Sequence, residues 1–225
     1  MTPRQAELIE LIHKEVKPAL GCTEPIAVAL AVAKAIEILS ENCTECKLQC
    51  PLWRQTADFD IKVEVSGNIL KNGMGVGIPG TGMVGLDIAA ALSMICGKTE
   101  YNLEVLKDID TKAVAQAKDL VNEGAVNISM AITAKKLYIC AVCKSGEHTS
   151  KTIIQDEHDN IVYYDFDGQI IYNDCTGTSE KGLCSIHKTE KSNAILDLQL
   201  DVKTIWDLVH EVDFKDIEFI LQAVD

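Results

Sequence analysis

A cysteine that directly precedes an apolar stretch is the residue whose position in this sequence best suits chemistry. It lies in the motif Gly21-Cys22-Thr23-Glu24-Pro25. Thr23 can supply a capping hydroxyl, and Pro25 suits the first position of a helix. Because the backbone N–H groups at a helix start stabilise a thiolate, this position favours a reactive thiol. The alternative is that Cys22 is a small buried residue at a tight corner.

The stretch that follows predicts a buried helix. From Ile26 to Leu39 it is interrupted only by Lys34 and Glu37, and a helix that is apolar nearly all round belongs in a core. It is too short and too charged at its far end for a membrane span. Cys22 is therefore expected at the positive end of a buried helix dipole.

A glycine-rich segment is the second feature that could position a ligand. Ser66 to Gly85 contains seven glycines, a density that predicts no regular element but lets backbone N–H groups approach a ligand closely. A helix predicted from Met83 to Ile95 would begin beside Gly80, Thr81 and Gly82 and offer a place for a carboxylate or phosphate.

Three polar residues in the same segment, Asn68, Lys71 and Asn72, suggest a pocket for an anion or an amino acid, with ordinary turn chemistry as the alternative. Two GxGxxG patterns overlap at Gly80, but they begin well after the predicted strand, and no GK[ST] sequence is present. A dinucleotide site needs these glycines directly between strand and helix, so the segment does not favour nucleotide binding.

The periodicity predicts an α+β fold, with buried and amphipathic helices packed on a mainly antiparallel sheet. Ile61, Val63 and Val65 alternate with polar residues, as in a half-buried strand. Further strands are expected at 126–132, 136–143, 149–155, 161–166 and 169–172, and further helices at 3–17, 110–123, 202–212 and 214–224. Asp110 or Thr111 is the expected cap of the helix at 110–123, and Asp201 and Asp213 are the expected N-caps of the last two helices. Residues 1–225 are predicted to form one domain, with a surface excursion at 40–58 and a flexible loop at 173–194.

Composition narrows the classes of partner and compartment. The net charge is −13, from 34 acidic and 21 basic residues, which disfavours nucleic acid and anionic membrane surfaces. The first 20 residues lack the pattern of a secretory signal, so we expect a cytoplasmic protein. Nine cysteines cannot all pair internally, which favours reduced thiols or metal ligation.

Other cysteines and one histidine offer weaker signals. Cys43, Cys46 and Cys50 are spaced closely enough to bind one metal, or they are incidental surface thiols. Cys140 and Cys143 would face opposite sides of a strand. His148 follows a hairpin turn, where an exposed polar residue is ordinary.

The stretches Lys17–Leu30 and Val65–Gly82, together with the turn Gly146-Glu147-His148-Thr149, resemble the L-cysteine desulfidase family, which belongs with the iron-sulfur L-serine dehydratases. The resemblance implies the N-terminal half of a [4Fe-4S] lyase that converts L-cysteine to sulfide, pyruvate and ammonia. Family members are longer, so a C-terminal half with the other cluster cysteines would be missing. A serine-specific lyase or a non-catalytic amino-acid-binding module are the alternatives.

The resemblance also implies roles for individual residues. Cys22 would be a cluster ligand, although this chain alone is not expected to hold the cluster. Iron would act as a Lewis acid on the substrate while Lys71 or His148 removes a proton. The small amino-acid substrate is expected to contact Thr23, Glu24, Ser66, Asn68, Asn72, Gly80, Thr81 and Gly82. A homodimer is left open.

Overall fold

A computed structural model describes residues 2–43, 59–175 and 201–223. Most of the predicted excursion at 40–58 and of the predicted loop at 173–194 lies outside these residues, as do Cys46, Cys50 and Cys184. The described residues separate into two compact units, one within residues 19–175 and one made of residues 2–18 and 201–223. Each unit is described by itself.

A six-stranded sheet forms the centre of the larger unit, with the strand order β2-β1-β3-β4-β5-β6. The strands are β1 (Phe59–Val65), β2 (Val126–Met130), β3 (Tyr138–Ser145), β4 (His148–Gln155), β5 (Ile161–Phe166) and β6 (Gln169–Asn173). Four of the five strand pairs are antiparallel, so the predicted α+β class with a mainly antiparallel sheet is confirmed.

The pairing of β2 differs from the expected antiparallel run. This strand pairs only with β1 and is parallel to it, with Ile61 opposite Val126. The connection between the two strands contains helices, and such a crossover returns the chain in its original direction. Local alternation in the sequence cannot report that direction.

The described residues of this unit also form four helices and one 3-10 segment. They are α2 (Thr23–Asn42), α3 (Gly67–Gly73), α4 (Leu86–Cys96), α5 (Thr111–Asn122) and the 3-10 segment Thr99–Glu104. The alternating side chains of β1 divide as predicted, since Ile61, Val63 and Val65 are buried whereas Lys62 and Glu64 are exposed. The buried face packs in the same core as α2, α4 and α5.

Helix α2 lies inside this core, as its composition predicts. Every residue from Ala27 to Val32 is at most 1% exposed. Two buried hydroxyls also bind its backbone: Ser93 of α4 donates to the carbonyl of Ala29, and Ser150 of β4 donates to that of Ala35. These contacts fix the axis of α2 and therefore the position of its first turn.

Two helix starts in this unit differ from the predictions, and one helix was not predicted. Helix α2 begins at Thr23, with Cys22 as the N-cap, so Pro25 is its third residue. A proline is equally tolerated there, because the N–H groups of the first turn lack intrahelical partners. Helix α3 occupies part of the glycine-rich segment that was expected to be irregular. Helix α4 begins at Leu86 because residues before it form a hairpin.

The smaller unit contains α1 (Pro3–Glu15), α6 (Val202–Glu211), α7 (Phe214–Ile217) and a 3-10 segment at Glu218–Ala223. Leu8 and Ile9 of α1 pack against Leu208 of α6. The predicted caps are confirmed, since Asp201 and Asp213 accept hydrogen bonds from the first turns of α6 and α7. The last predicted helix is α-helical only as far as Ile217 and then tightens into the 3-10 segment.

Among the residues that the structure describes, we find no helix that is both long enough and apolar enough to cross a membrane.

Candidate functional site

Cys22 is an exposed residue with a free thiol at the start of a buried helix. Its side chain makes no capping hydrogen bond, so it does not satisfy the N–H groups of the first turn of α2. The preceding Gly21 has φ of +91°, a conformation that glycine adopts readily and other residues rarely do. The turn into α2 therefore presents a thiol and backbone donors on one surface.

Thr23 contacts a histidine from a distant part of the chain. A hydrogen bond of 3.3 Å joins Thr23 Oγ1 and His158 Nε2, and His158 lies in the turn between β4 and β5. The predicted capping role of Thr23 was wrong, since Thr23 is the first residue of α2 and Cys22 occupies the cap position. Sequence reasoning missed His158, because its neighbours Glu157 and Asp159 read as an ordinary polar turn and only the strand order places that turn beside α2.

Glu24 contacts helix α3. The side-chain amide of Asn72 donates to Glu24 Oε1 over 3.3 Å, so the structure brings together two of the residues predicted to bind substrate. Asn68 and Lys71 also lie on α3 and are exposed. These polar residues are thus on a helix beside the start of α2.

The glycine-rich segment after α3 folds into a short hairpin. Gly77 pairs with Val84 as an isolated bridge, and the tip contains Pro79, Gly80 and Gly82. A Cβ atom added to Gly21 would lie 3.5 Å from Pro79 Cγ. The hairpin tip therefore packs closely against the turn that carries Cys22.

Within this hairpin, Thr81 is buried and its hydroxyl is used locally. It donates to the carbonyl of Ile78 over 2.7 Å and accepts from the N–H of Met83 over 2.9 Å. Gly80 and Gly82 are exposed and have φ of +77° and +66°. The expected helix start beside Thr81 was wrong, since backbone hydrogen bonds from Ile78 to Met83 and from Gly85 to Val76 keep this part of the chain in the hairpin as far as Gly85.

Ser66 is also buried. Its hydroxyl donates to the carbonyl of Lys136 over 2.8 Å and accepts from the N–H of Tyr138 over 3.3 Å. These bonds join the end of β1 to the start of β3. The structure therefore gives the Ser66 hydroxyl two backbone partners.

His148 lies at the other end of the sheet. It pairs with Ser145, which in turn pairs with Phe59 at the start of β1, whereas Ser66 follows the end of β1. The two predicted candidates for a base, Lys71 and His148, are consequently not brought together. His148 Nδ1 lies 2.7 Å from Asp167 Oδ2.

We use the name Cys22 corner for the residues that do converge, which are Gly21, Cys22, Thr23, Glu24, Asn72, Pro79 and His158. They come from four separate segments: the start of α2, helix α3, the glycine-rich hairpin and the β4–β5 turn. Chemically the corner combines a thiol, a carboxylate, an imidazole and the unpaired N–H groups of a helix start.

The other thiols do not complete a metal site with Cys22. The free thiols among the described residues are Cys22, Cys96, Cys140 and Cys143, so Cys43 does not offer a free thiolate. Burial raises the pKa of the Cys140 and Cys143 thiols. No cluster of three or more His, Cys, Asp or Glu side chains suited to a metal occurs in the described ranges. The described residues therefore do not fit a four-iron cluster.

Comparison with known proteins finds similarity, over nearly the whole of this chain, to bacterial proteins named UPF0597 protein. One from Parabacteroides distasonis is 38% identical and one from Phocaeicola vulgatus is 39% identical, each over 98% of this chain and 46% of the relative. One from Clostridioides difficile is 38% identical over 96% of this chain. The chain thus spans about half the length of the curated relatives it matches. No family model and no solved structure matches the chain.

These names overturn the predicted family and function. None of the three relatives is named as an L-cysteine desulfidase, an L-serine dehydratase or an iron-sulfur protein. The assignment to the L-cysteine desulfidase family was wrong, and the predicted [4Fe-4S] lyase activity is withdrawn with it. The error came from motifs of glycine, proline and small residues, which specify turns and close packing as readily as a particular chemistry.

Proposed function

We propose that the Cys22 corner binds a small amino acid, with the Cys22 thiol beside the bound molecule. The observation that carries the proposal is the pair of contacts from consecutive residues of α2, Thr23 to His158 and Glu24 to Asn72. They gather groups from distant segments around an exposed thiol. Such convergence of a few polar groups is typical of small-molecule sites.

The charges of an α-amino acid match the groups at this corner. Its carboxylate suits the backbone N–H groups of Thr23 and Glu24 in the first turn of α2, where the helix dipole favours negative charge; Pro25, the third residue, has no N–H to offer. Its ammonium group suits the carboxylate of Glu24, which Asn72 holds in place from one side. Thr23 and His158 supply further hydrogen-bonding groups at the same opening.

Cys22 is the reactive group that this site presents. It is the exposed free thiol among the described residues, since Cys96 is half-buried and both Cys140 and Cys143 are buried. The thiol reports directly on occupancy, because a molecule bound across the first turn of α2 would shield it from an alkylating reagent.

The test measures alkylation of Cys22 by iodoacetamide, followed by peptide mass spectrometry, with and without L-serine or L-alanine. A ligand present at ten times its Kd leaves about one site in eleven empty, so labelling should slow about tenfold. The Glu24→Gln variant should need a higher ligand concentration for the same protection. Glu147→Gln provides a matched control, since Glu147 is exposed in the β3–β4 turn.

Isothermal calorimetry with the same two amino acids on the whole chain gives an independent reading. Heat of binding that is reduced in Glu24→Gln and unchanged in Glu147→Gln supports the proposal. Unchanged labelling of Cys22 at saturating amino acid, or equal binding by both variants, would contradict it.

A further inference from the structure

A cleft lies beside the later turns of α2, away from the Cys22 corner. It has a volume of about 300 Å³, which is at the lower end of the range for small-molecule pockets. One wall comes from α2 and the other from the chain that follows α4. The lining residues are Ala33, Ile36, Glu37, Ser40, Gly97, Lys98, Thr99 and Glu100.

The carboxylate of Glu37 is held in a fixed position inside this cleft. Lys34 donates to its Oε1 atom from the preceding turn of α2, and the Thr99 hydroxyl donates to its Oε2 atom from the opposite wall. Its side chain is 32% exposed. Glu37 therefore presents a positioned carboxylate whose oxygens retain accepting capacity towards the cleft.

Among the described residues, carboxylates outnumber ammonium groups around the cleft, since Glu37, Glu100, Asp108 and Asp110 face only Lys34, which is paired with Glu37, and Lys98. Helix α4 ends at Cys96, and the end of a helix favours cations. Burial, followed by the nearby carboxylates of Asp110 and Asp108, raises the pKa of Cys96 to about 11. Lys98 opposes this field, but it is paired with Asp108. Glu100 adds an exposed carboxylate at the rim.

The floor of the cleft is apolar. Ala33 and Ile36 present hydrocarbon from α2, one turn before the hydroxyl of Ser40, which donates to the carbonyl of Glu37. A ligand that matches this lining needs a cationic head for the carboxylates and a short hydrocarbon part for the floor. A bare metal ion would make no use of the floor, and an anion would face two carboxylates.

We propose that this cleft binds a small organic amine, with its ammonium group between Glu37 and Glu100 and its hydrocarbon on Ala33 and Ile36. The site is separate from the amino-acid site proposed above and does not depend on it. The two share helix α2 but none of their residues.

The test titrates the full 225-residue chain with 1-butylamine, using two-dimensional ¹H–¹⁵N NMR at constant pH and ionic strength. Butyrate serves as the matched probe, because it has the same hydrocarbon chain and the opposite charge. Butylamine should shift the amide signals of residues 97–100, whereas butyrate should leave them unchanged. In Glu100→Gln the Kd for butylamine should rise about twofold to fivefold, since an exposed ion pair is worth up to about 1 kcal/mol.

Controls separate loss of binding from loss of folding. Glu100 is exposed, so its substitution leaves the core intact, and Glu147→Gln should bind butylamine as the unmodified chain does. Glu37→Gln should weaken binding further, with its dispersed amide spectrum confirming the fold. Equal shifts with butyrate, no change in Kd for Glu100→Gln, or no shift at residues 97–100 would each overturn the proposal.

Discussion

Thr23 Oγ1 and His158 Nε2 lie 3.3 Å apart although 135 residues separate them in the chain. The contact joins the first turn of the buried helix α2 to the turn between β4 and β5. The sheet fixes the position of that turn, and the core fixes the position of the helix. The contact between Thr23 and His158 therefore shows how the larger unit positions the groups around Cys22.

A double-mutant cycle measures this contact directly. We expect Thr23→Val and His158→Phe each to lower the free energy of unfolding by about 0.5–1.5 kcal/mol, because each removes one half-exposed hydrogen bond. The double variant should be less destabilised than the sum, by a similar coupling energy. Urea denaturation of the four proteins provides the values, and strictly additive effects would show that the two side chains do not interact.

We expect the Ser66 hydroxyl to contribute to the stability of the fold. Its side chain is buried and binds the backbone of both Lys136 and Tyr138. Replacement by alanine leaves a partly buried carbonyl and N–H without this partner, so Ser66→Ala should lower the free energy of unfolding by about 1–2 kcal/mol. Ser129→Ala on the exposed part of β2 should change it by less than about 0.5 kcal/mol. Similar unfolding midpoints for the two variants would refute this role.

Local sequence signals predicted most of the fold because each acts within a few residues. The apolar run before Leu39 identified α2, and the aspartates at positions 110, 201 and 213 identified helix starts. The strand that is parallel, β2, could not be recognised, since its orientation depends on a crossover of three helices. Helix α3 was missed because Gly67 and Gly73 have low helix propensity, and the short helix is stabilised by packing instead.

The candidate site was predictable only where neighbours in sequence form it. Cys22, Thr23 and Glu24 were found from the motif at the helix start. The roles of polar residues elsewhere depend on partners that are distant in sequence: the Ser66 hydroxyl meets β3, and His148 meets Asp167 at the other end of the sheet. His158 has no local signal, and only the strand pairing brings it to Thr23.

Gly73 is expected to tolerate no side chain. A Cβ atom there would lie 2.3 Å from Cδ2 and 3.1 Å from Cγ of Leu86, which is fully buried. Gly73→Ala should therefore lower the free energy of unfolding by about 1–3 kcal/mol through overpacking. Gly75, two residues later, has nothing within 4 Å of the same position. Gly75→Ala should be neutral or slightly stabilising, and equal destabilisation of both variants would refute the packing argument.

The pair formed by Asp167 and His148 predicts a dependence of stability on pH. Hydrogen bonds from His148 and from the N–H of Thr149 hold the pKa of Asp167 below its ordinary value of 3.8. A carboxyl whose pKa is lowered by folding stabilises the protein above its unfolded pKa, and this contribution is lost as the pH falls through the folded value. Because both side chains are more than one-third exposed, the contribution should be at most about 1 kcal/mol.

Asp167→Asn tests this dependence with little other change, because asparagine tolerates the φ of +50° found at this position. Urea denaturation should show the variant less stable than the unmodified chain at about pH 6, and the difference should shrink progressively from about pH 5 to about pH 2. It shrinks because the aspartate gains the proton that the asparagine never carries. A difference that stays constant over this range would mean that the ionised carboxylate contributes nothing to stability, and that the Asp167–His148 contact acts only through shape.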